Sequence, residues 1–177
     1  ATAFRRWVSA VAPALEQDEV VSIDGKTSRR SSKVGGTPLH LVSAFAAGMG
    51  LVLGQQATAV KSNEKTAIPE LLATLALEGC IVTIDAMGTQ ANIAQAIRER
   101  GANYILAVKD NQPWLADSVR DFFTQFQVAP ERTPHTAAET VEKDHGRIEI
   151  RRCFAFDHLD CLVKPEQWPD LRSFAVV

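Results

Sequence analysis

Two aspartates, Asp24 and Asp85, each end an apolar run typical of a buried strand, VVSID at 20–24 and CIVTID at 80–85. A single aspartate in such a place commonly caps a turn, and that alternative stays open for each. If the two strands are neighbours in one sheet, the carboxylates converge and repel each other unless a divalent cation neutralises them. Oxygen ligands without cysteine or histidine favour Mg²⁺ or Mn²⁺. The pair therefore predicts a metal site suited to phosphoryl transfer, where metal ions stabilise the attacking and leaving oxygens.

A basic segment follows Asp24 directly. Its cations are Lys26, Arg29, Arg30 and Lys33, and serines and threonine lie between them. Ammonium, guanidinium and hydroxyl groups are the side chains that contact nucleic-acid phosphates. A solvated surface loop is the alternative interpretation, and the position beside Asp24 favours nucleic acid.

Two short polar segments each follow a predicted strand and precede a predicted helix. They contain Lys61 and Asn63 in the first and Lys109 and Asn111 in the second. The carboxyl ends of strands in α/β sheets face the ligand site, so these side chains are candidates for contacting phosphate or orienting a metal ligand. Capping of the next helix by Asn63 and Asn111 is an equally good interpretation, and both can hold.

Glu149 is the carboxylate on the polar face of a strand predicted near the end of the chain. Arg147 and Arg151 lie two residues to either side of it. Such spacing favours a surface ion-pair ladder, which stabilises little. A role as a third metal ligand is the alternative.

Hydrophobic spacing predicts the elements that position these groups. Apolar runs predict strands at 20–24, 40–46, 51–60, 80–85 and 104–108. Helical spacing predicts helices at 3–16, between Pro69 and Gly79, from a cap at Thr89 to Gly101, and from Pro113 onwards. The order after the first helix, β-β-β-α-β-α-β-α, is that of a ribonuclease H-like α/β fold, a mixed five-stranded sheet with flanking helices on both faces.

The chain then divides into three parts. We predict an incomplete ribonuclease H-like core at 1–127, a proline-containing linker at 128–138 and a β-rich extension at 139–177. The extension begins with a hairpin whose strands lie near 140–143 and 147–156 and whose turn is Asp144-His145-Gly146. The amphipathic start and the strand-like end, Phe174–Val177, indicate that the chain is a piece of a longer protein.

Composition excludes several classes of protein and of binding partner. With 19 Lys+Arg against 21 Asp+Glu the net charge is −2, which excludes a polybasic coat but not a local basic patch. Three cysteines without metal spacing indicate buried or half-buried thiols in a reducing cytoplasm. The apolar run from Leu39 to Gly54 is too short for a membrane span, so we expect no membrane partner.

A set of motifs carries a family resemblance over nearly the whole chain. They are IDGKTSRR at 23–30, PLHLVSAF at 38–45, LVLGQ at 51–55, KSNE at 61–64, TIDAMGTQ at 83–90, YILAVKDNQ at 104–112 and HGRIEIR at 145–151. In this order they resemble bacterial insertion-sequence DDE transposases, in particular the H-repeat-associated group. Lys65 and Asp110 depart from the family pattern, which has an apolar residue and a glycine there.

The resemblance implies a ribonuclease H-like fold, a divalent metal and DNA strand cleavage and joining. Asp24 and Asp85 match the family's first and second metal aspartates. The family's third acid lies in a motif resembling H-W-x-I-E-N, which this chain does not contain. The resemblance therefore argues against Glu149, places the third acid beyond Val177, and implies that this chain alone is inactive.

We thus expect the core of a DNA transposase that acts on double-stranded transposon ends and target DNA. A homo-oligomer follows from the resemblance only, because transposases pair two ends. The alternative is an inactive, domesticated transposase remnant that serves as a DNA-binding module. Retention of both aspartates favours the enzyme.

Overall fold

The computed structural model describes residues 15–28, 39–58, 64–144 and 146–177, and they divide into two compact units. The first unit is 1–111 and the second is 112–177. The division lies between Asn111 and Gln112. The helix that follows Pro113 belongs to the second unit.

The described residues of the first unit form five strands and two helices in the predicted order. The strands are β1 (Val20–Ser28), β2 (Leu39–Ala46), β3 (Leu51–Thr58), β4 (Ile81–Ile84) and β5 (Asn103–Leu106). The helices are α1 (Glu64–Leu72) and α2 (Ala91–Arg98). The predicted helix at 3–16 falls almost wholly outside the described residues.

The strands form one mixed sheet in the order β3-β2-β1-β4-β5. The pairs β1–β2 and β2–β3 are antiparallel, whereas β1–β4 and β4–β5 are parallel. An antiparallel meander whose first strand continues into two parallel strands is the ribonuclease H-like arrangement. The predicted fold class is confirmed.

One face of this sheet carries the core. Val21 and Ile23 of β1 and Val82 and Ile84 of β4 are buried there against Leu71, Leu72, Ile93 and Ile97 from the two helices. Ile93 and Ile97 are four residues apart, so they lie on one side of α2. Both described helices of this unit pack on this face.

Three local expectations for the first unit are wrong. The strand predicted at 20–24 continues to Ser28, because its pairing with β2 runs without a break to Ser28↔Leu39. Pro69 lies inside α1 and not near its start. The residue before α2 is Gln90, and the fully buried Thr89 hydroxyl instead donates to the Ala107 carbonyl at 2.6 Å.

The second unit combines one helix with a three-stranded antiparallel sheet. Helix α3 (Pro113–Val128) begins with proline at its first turn, as predicted, because the missing N–H has no partner there in any case. The strands are β6 (Thr136–Asp144), β7 (Arg147–Phe156) and β8 (Phe174–Val176), in the order β6-β7-β8. The predicted hairpin is thus present.

Aromatic contacts explain why α3 belongs to the second unit. Phe122 meets Phe156 edge-on at 4.8 Å and Phe174 at 5.3 Å between ring centroids, and Phe126 meets Phe154 and Phe156 at 5.5 and 4.9 Å. Edge-to-face packing at these distances is favourable beyond the burial of area alone. The apolar face of α3 is therefore satisfied by the small sheet.

The predicted linker at 128–138 is shorter in the structure. Val128 still belongs to α3, Pro130–Arg132 form a 3₁₀ turn, and β6 already begins at Thr136. Thr136 pairs with Ala155 and Ala137 with Phe154, so the hairpin ladder extends to the aromatic cluster.

The cysteines are free thiols, as the sequence indicated. Cys80 is buried and Cys153 and Cys161 are half-buried. Burial raises the pKa of the Cys80 thiol, with Glu19 adding to the effect. In the described parts of the chain, no helix is long and apolar enough to span a membrane.

Two isoleucines of the first unit test the assignment of the core face. Ile97 is completely buried, whereas Ile105 on β5 is 63% exposed. We expect Ile97→Ala to lower the free energy of unfolding by about 2–5 kcal/mol, because it leaves a cavity among packed side chains. Ile105→Ala is the matched control and should cost less than about 1 kcal/mol. Urea titration followed by circular dichroism measures both, and equal losses would contradict the assignment.

Candidate active site

Asp24 and Asp85 lie at adjacent positions of two paired strands. Parallel pairing of β1 with β4 matches Ile23 with Ile84, and the two aspartates are the next residues of each strand. Neighbouring strands are about 4.8 Å apart. The strand order thus brings the predicted pair together.

The pleat indicates which face of the sheet the pair occupies. Ile23 and Ile84 point into the core, so the alternation of β1 puts Asp24 on the opposite face, together with Ser22. Thr83 of β4 shares that face, because its hydroxyl donates to the Ser22 hydroxyl at 3.0 Å. Asp85 comes two residues after Thr83 with extended backbone angles, φ −69° and ψ 174°.

Asp24 is paired with a lysine of its own strand. The Lys26 ammonium lies 3.3 Å from Oδ2 of Asp24, and both side chains are more than half exposed. Lys26 lies beyond the strand predicted at 20–24 but belongs to β1, where positions two apart share a face. An ion pair this exposed stabilises little, so the lysine is easily exchanged for another partner.

Asp85 caps the turn that follows β4. Its Oδ1 accepts hydrogen bonds from the Met87 and Gly88 amides, at 3.1 and 3.4 Å. A side chain at Gly88 would collide with Ile84, since a Cβ there would lie 2.3 Å from its Cγ2. The turn-cap interpretation of Asp85 is therefore correct, but it uses one oxygen. No described residue bonds to Oδ2.

The loop after β5 is tied to the loop after β4. Oδ1 of Asn111 accepts from the Lys109 amide at 3.2 Å, and its Nδ2 donates to the Thr89 carbonyl at 3.4 Å. Asn111 therefore braces the loop and does not cap α3, whose first flanking residue is Gln112. Lys109 is exposed.

Along the parallel strands, Asp24 follows the last residue of β1 that pairs with β4, Asp85 directly follows β4, and Lys109 comes three residues after β5. Five other predicted contacts, Arg29, Arg30, Lys33, Lys61 and Asn63, lie outside the described residues.

Glu149 belongs to the second unit and is engaged in ion pairs. The Arg151 guanidinium contacts Glu149 and also Glu142 across the hairpin, the latter at 2.8 Å. All three side chains are about half exposed. This is the surface ion-pair ladder that the spacing suggested.

Two adjacent carboxylates, one with an oxygen that no described residue bonds, fit the hard donor set of a divalent cation. A larger set does not occur in the described ranges, where no group of three or more His, Cys, Asp or Glu side chains converges.

Comparison with known proteins decides which family this arrangement belongs to. The family model for the transposase DDE domain matches residues 15–176. The chain belongs to this family. The match includes both aspartates and every strand described above.

Relatives extend the comparison. The chain is 40% identical over 176 residues to an uncharacterised protein encoded in the dhlA 3′ region of Xanthobacter autotrophicus, covering 99% of the chain and 59% of that protein. It is 39% identical over 177 residues to the H repeat-associated putative transposase YhhI of Escherichia coli K12, covering 98% of the chain and 46% of that protein. The chain thus spans about half the length of these relatives.

One solved structure of a transposase resembles the chain more distantly. The piggyBac transposase synaptic complex with hairpin DNA matches with a TM-score of 0.42 and 10% identity, over 80% of this chain and 31% of that one. The match is too remote to inform the site. The fold assignment rests on the strand order.

Asp85 uses one carboxylate oxygen as a turn cap and leaves the other without a bond from a described residue, and this difference leads to a stability prediction. Asp85→Asn keeps a side-chain oxygen that accepts from the Met87 and Gly88 amides, so we expect unfolding free energy to change by less than about 0.5 kcal/mol. Asp85→Ala removes the cap and should cost about 0.5–2 kcal/mol. Thermal and urea unfolding of the two variants provide the measurement. An asparagine variant as unstable as the alanine variant would show that the cap depends on charge.

Proposed function

We propose that this chain is the catalytic core of a bacterial DNA transposase that cleaves and joins phosphodiesters with the help of Mg²⁺ or Mn²⁺. The observation that supports this most is the register of β1 and β4, which places Asp24 beside Asp85 in a member of the transposase DDE domain family. The substrate would be double-stranded DNA, and the place of action the cytoplasm.

Asp24 and Asp85 would hold the cation. When bound, the ion supplies Lewis-acid activation of a water or hydroxyl nucleophile and stabilises charge on the phosphate oxygens. Asp85 offers Oδ2 while the Met87 and Gly88 amides fix Oδ1, so the carboxylate is held in one orientation. With two carboxylates from the described residues, water would have to complete a shell of about six oxygens, and binding would be weak.

Lys26 would neutralise Asp24 until DNA and metal arrive. Since the Lys26–Asp24 pair is exposed at 3.3 Å, the ammonium can leave the carboxylate and contact a phosphate. Arg29, Arg30 and Lys33 would extend this contact along the backbone, and Lys109 would add another from the end of β5. Lys61 and Asn63 would contribute from the loop after β3, and Asn111 would hold the Lys109 loop in place.

The third acid is the open part of the proposal. We propose that it lies in sequence that follows these motifs, as the family resemblance implies, with Glu149 as the alternative within the chain. Its pairing with Arg151 favours a structural role for Glu149.

Cleavage assays on the natural full-length protein test the metal pair. With DNA that carries the element's ends, we expect Asp24→Asn and Asp85→Asn each to slow Mg²⁺-dependent cleavage about 100-fold or more, because several kcal/mol of charge stabilisation disappear. Asp117→Asn, an exposed carboxylate on α3, is the matched control and should leave the rate unchanged. Wild-type rates in either site variant would overturn the proposal.

The same assay separates the other candidates. Glu149→Gln with full activity excludes Glu149 as the third acid. Sequence-specific binding by the wild-type protein with no cleavage would identify a DNA-binding remnant, and cleavage without joining would identify a nuclease.

The basic segment is tested by the salt dependence of DNA binding. Loss of two phosphate contacts in an Arg29→Ala/Arg30→Ala variant should reduce the slope of log K against log salt by about two. An Arg132→Ala/Arg172→Ala variant, which removes two exposed arginines of the second unit, is the control. An unchanged slope in the first variant would return the segment to a solvated loop.

A further inference from the structure

A row of polar side chains crosses three strands of the first sheet and ends at Asp24. The antiparallel ladders match Asp24 of β1 with Ser43 of β2, and Ser43 with Gln55 of β3. The Gln55 side-chain amide donates to the Ser43 hydroxyl oxygen at 3.1 Å. Directly opposite residues of an antiparallel pair have Cβ atoms about 4.5–5.5 Å apart, so neighbours in the row are within reach of one another.

The row lies on the sheet face that carries the two aspartates. Ala44, which follows Ser43, is buried in the core. Gly54, which precedes Gln55, faces helix α1, since a Cβ at that position would lie 3.1 Å from a side chain of that helix. Because side chains alternate along a strand, Ser43 and Gln55 point to the opposite face, as Asp24 does. Both are half-buried, whereas Asp24 is exposed.

The bond from Gln55 determines what the Ser43 hydroxyl can do. A hydroxyl has one hydrogen and two lone pairs, so an oxygen that accepts from an amide still has its hydrogen to donate. Across the ladder, the Asp24 carboxylate can accept at both of its oxygens. A hydrogen bond between Ser43 and Asp24 therefore requires rotation about side-chain bonds only, with no movement of either strand.

Asp24 needs such a donor more than Asp85 does. The Met87 and Gly88 amides hold one oxygen of Asp85, whereas the described ion-pair partner of Asp24 is the exposed Lys26 ammonium. When Lys26 turns to a DNA phosphate, as the proposed function has it, Asp24 loses that partner. A hydroxyl fixed on the neighbouring strand would then keep the carboxylate in one orientation.

We propose that Ser43 is a positioning residue for Asp24, and that Gln55 orients the Ser43 hydroxyl toward the carboxylate. This inference rests on the proposed function, which assigns the carboxylate to a divalent cation. Ser43 would donate to one oxygen of Asp24 and leave the other for the cation, as the turn amides do for Asp85. Loss of a partner that orients a metal-ligating carboxylate typically weakens metal binding or activity by about 10- to 100-fold.

Two substitutions of equal shape isolate the hydroxyl. Ser43→Thr keeps it and Ser43→Val replaces it with a methyl group, and both add the branching that strands favour. In the natural full-length protein, we expect Ser43→Thr to bind Mn²⁺ like wild type and Ser43→Val to bind it about 10-fold more weakly. Electron paramagnetic resonance of the free ion measures these affinities without DNA cleavage. Equal affinities for the threonine and valine variants would overturn the proposal.

A double-mutant cycle tests whether Gln55 acts through Ser43. Gln55→Leu alone should weaken Mn²⁺ binding less than Ser43→Val does, because the hydroxyl remains but is no longer oriented. Added to Ser43→Val, it should cause no further loss. Gln56→Leu is the matched control, since Gln56 is the next residue of β3 and its amide donates to Glu70 on α1 at 3.1 Å. It should leave the affinity unchanged. Additive losses, or no loss with Gln55→Leu, would overturn the role of Gln55.

Asp24→Asn distinguishes a failure of this inference from a failure of the proposed function. If Asp24→Asn binds Mn²⁺ as tightly as wild type does, the cation site itself is wrong and the role of Ser43 falls with it. If Asp24→Asn weakens binding while Ser43→Val binds like wild type, the cation site stands and only the role of Ser43 is refuted.

Discussion

The parallel pairing of β1 with β4 is the constraint on which the rest of the site depends. It aligns Ile23 with Ile84, and these two side chains are buried, so a slip of one position would expose them and bury charge. The same register puts Asp24 and Asp85 next to each other. Two carboxylates on neighbouring strands repel each other, and the repulsion is stronger near a protein surface than in bulk water. Burial of the two isoleucines therefore fixes a register that keeps Asp24 and Asp85 adjacent, although their like charges repel.

Each aspartate has a local partner that lowers this repulsion. The Lys26 ammonium lies beside Asp24, and the amides of Met87 and Gly88 donate to Asp85. The ion pair of Asp24 and the amide cap of Asp85 differ in how easily they break. An exposed ion pair exchanges readily, whereas the cap on Asp85 is fixed by a turn that needs glycine against Ile84. One carboxylate is thus oriented by the backbone, and the other is shielded by a side chain that can move away.

The sequence predicted the sheet well because buried parallel strands appear as short continuous apolar runs, and CIVTID and YILAV are such runs. Sequence-based prediction failed where tertiary contacts determine the role of a residue or the partner of a helix. Thr89 has the residue type of a helix cap, but its hydroxyl is buried against the Ala107 carbonyl. Helix α3 has an apolar face that fits either sheet in principle, and only the phenylalanines of β7 and β8 reveal its partner. The adjacency of the aspartates was predictable from topology, whereas the partners of their oxygens were not.

Strand β7 of the second unit is buried at one end, where it stabilises the fold, and exposed at the other. At the base of β7, Phe154 and Phe156 contact the phenylalanines of α3, and Phe156 is completely buried. Toward the tip, residues from Arg147 to Arg152 are exposed, and Glu142 faces Glu149 with Arg151 bridging both. Exposed side chains contribute little to folding, so the tip can carry apolar and charged residues that the unit itself does not need. The aromatic contacts at the base hold the hairpin in register, so substitutions of exposed side chains at the tip should disturb the fold of this unit little.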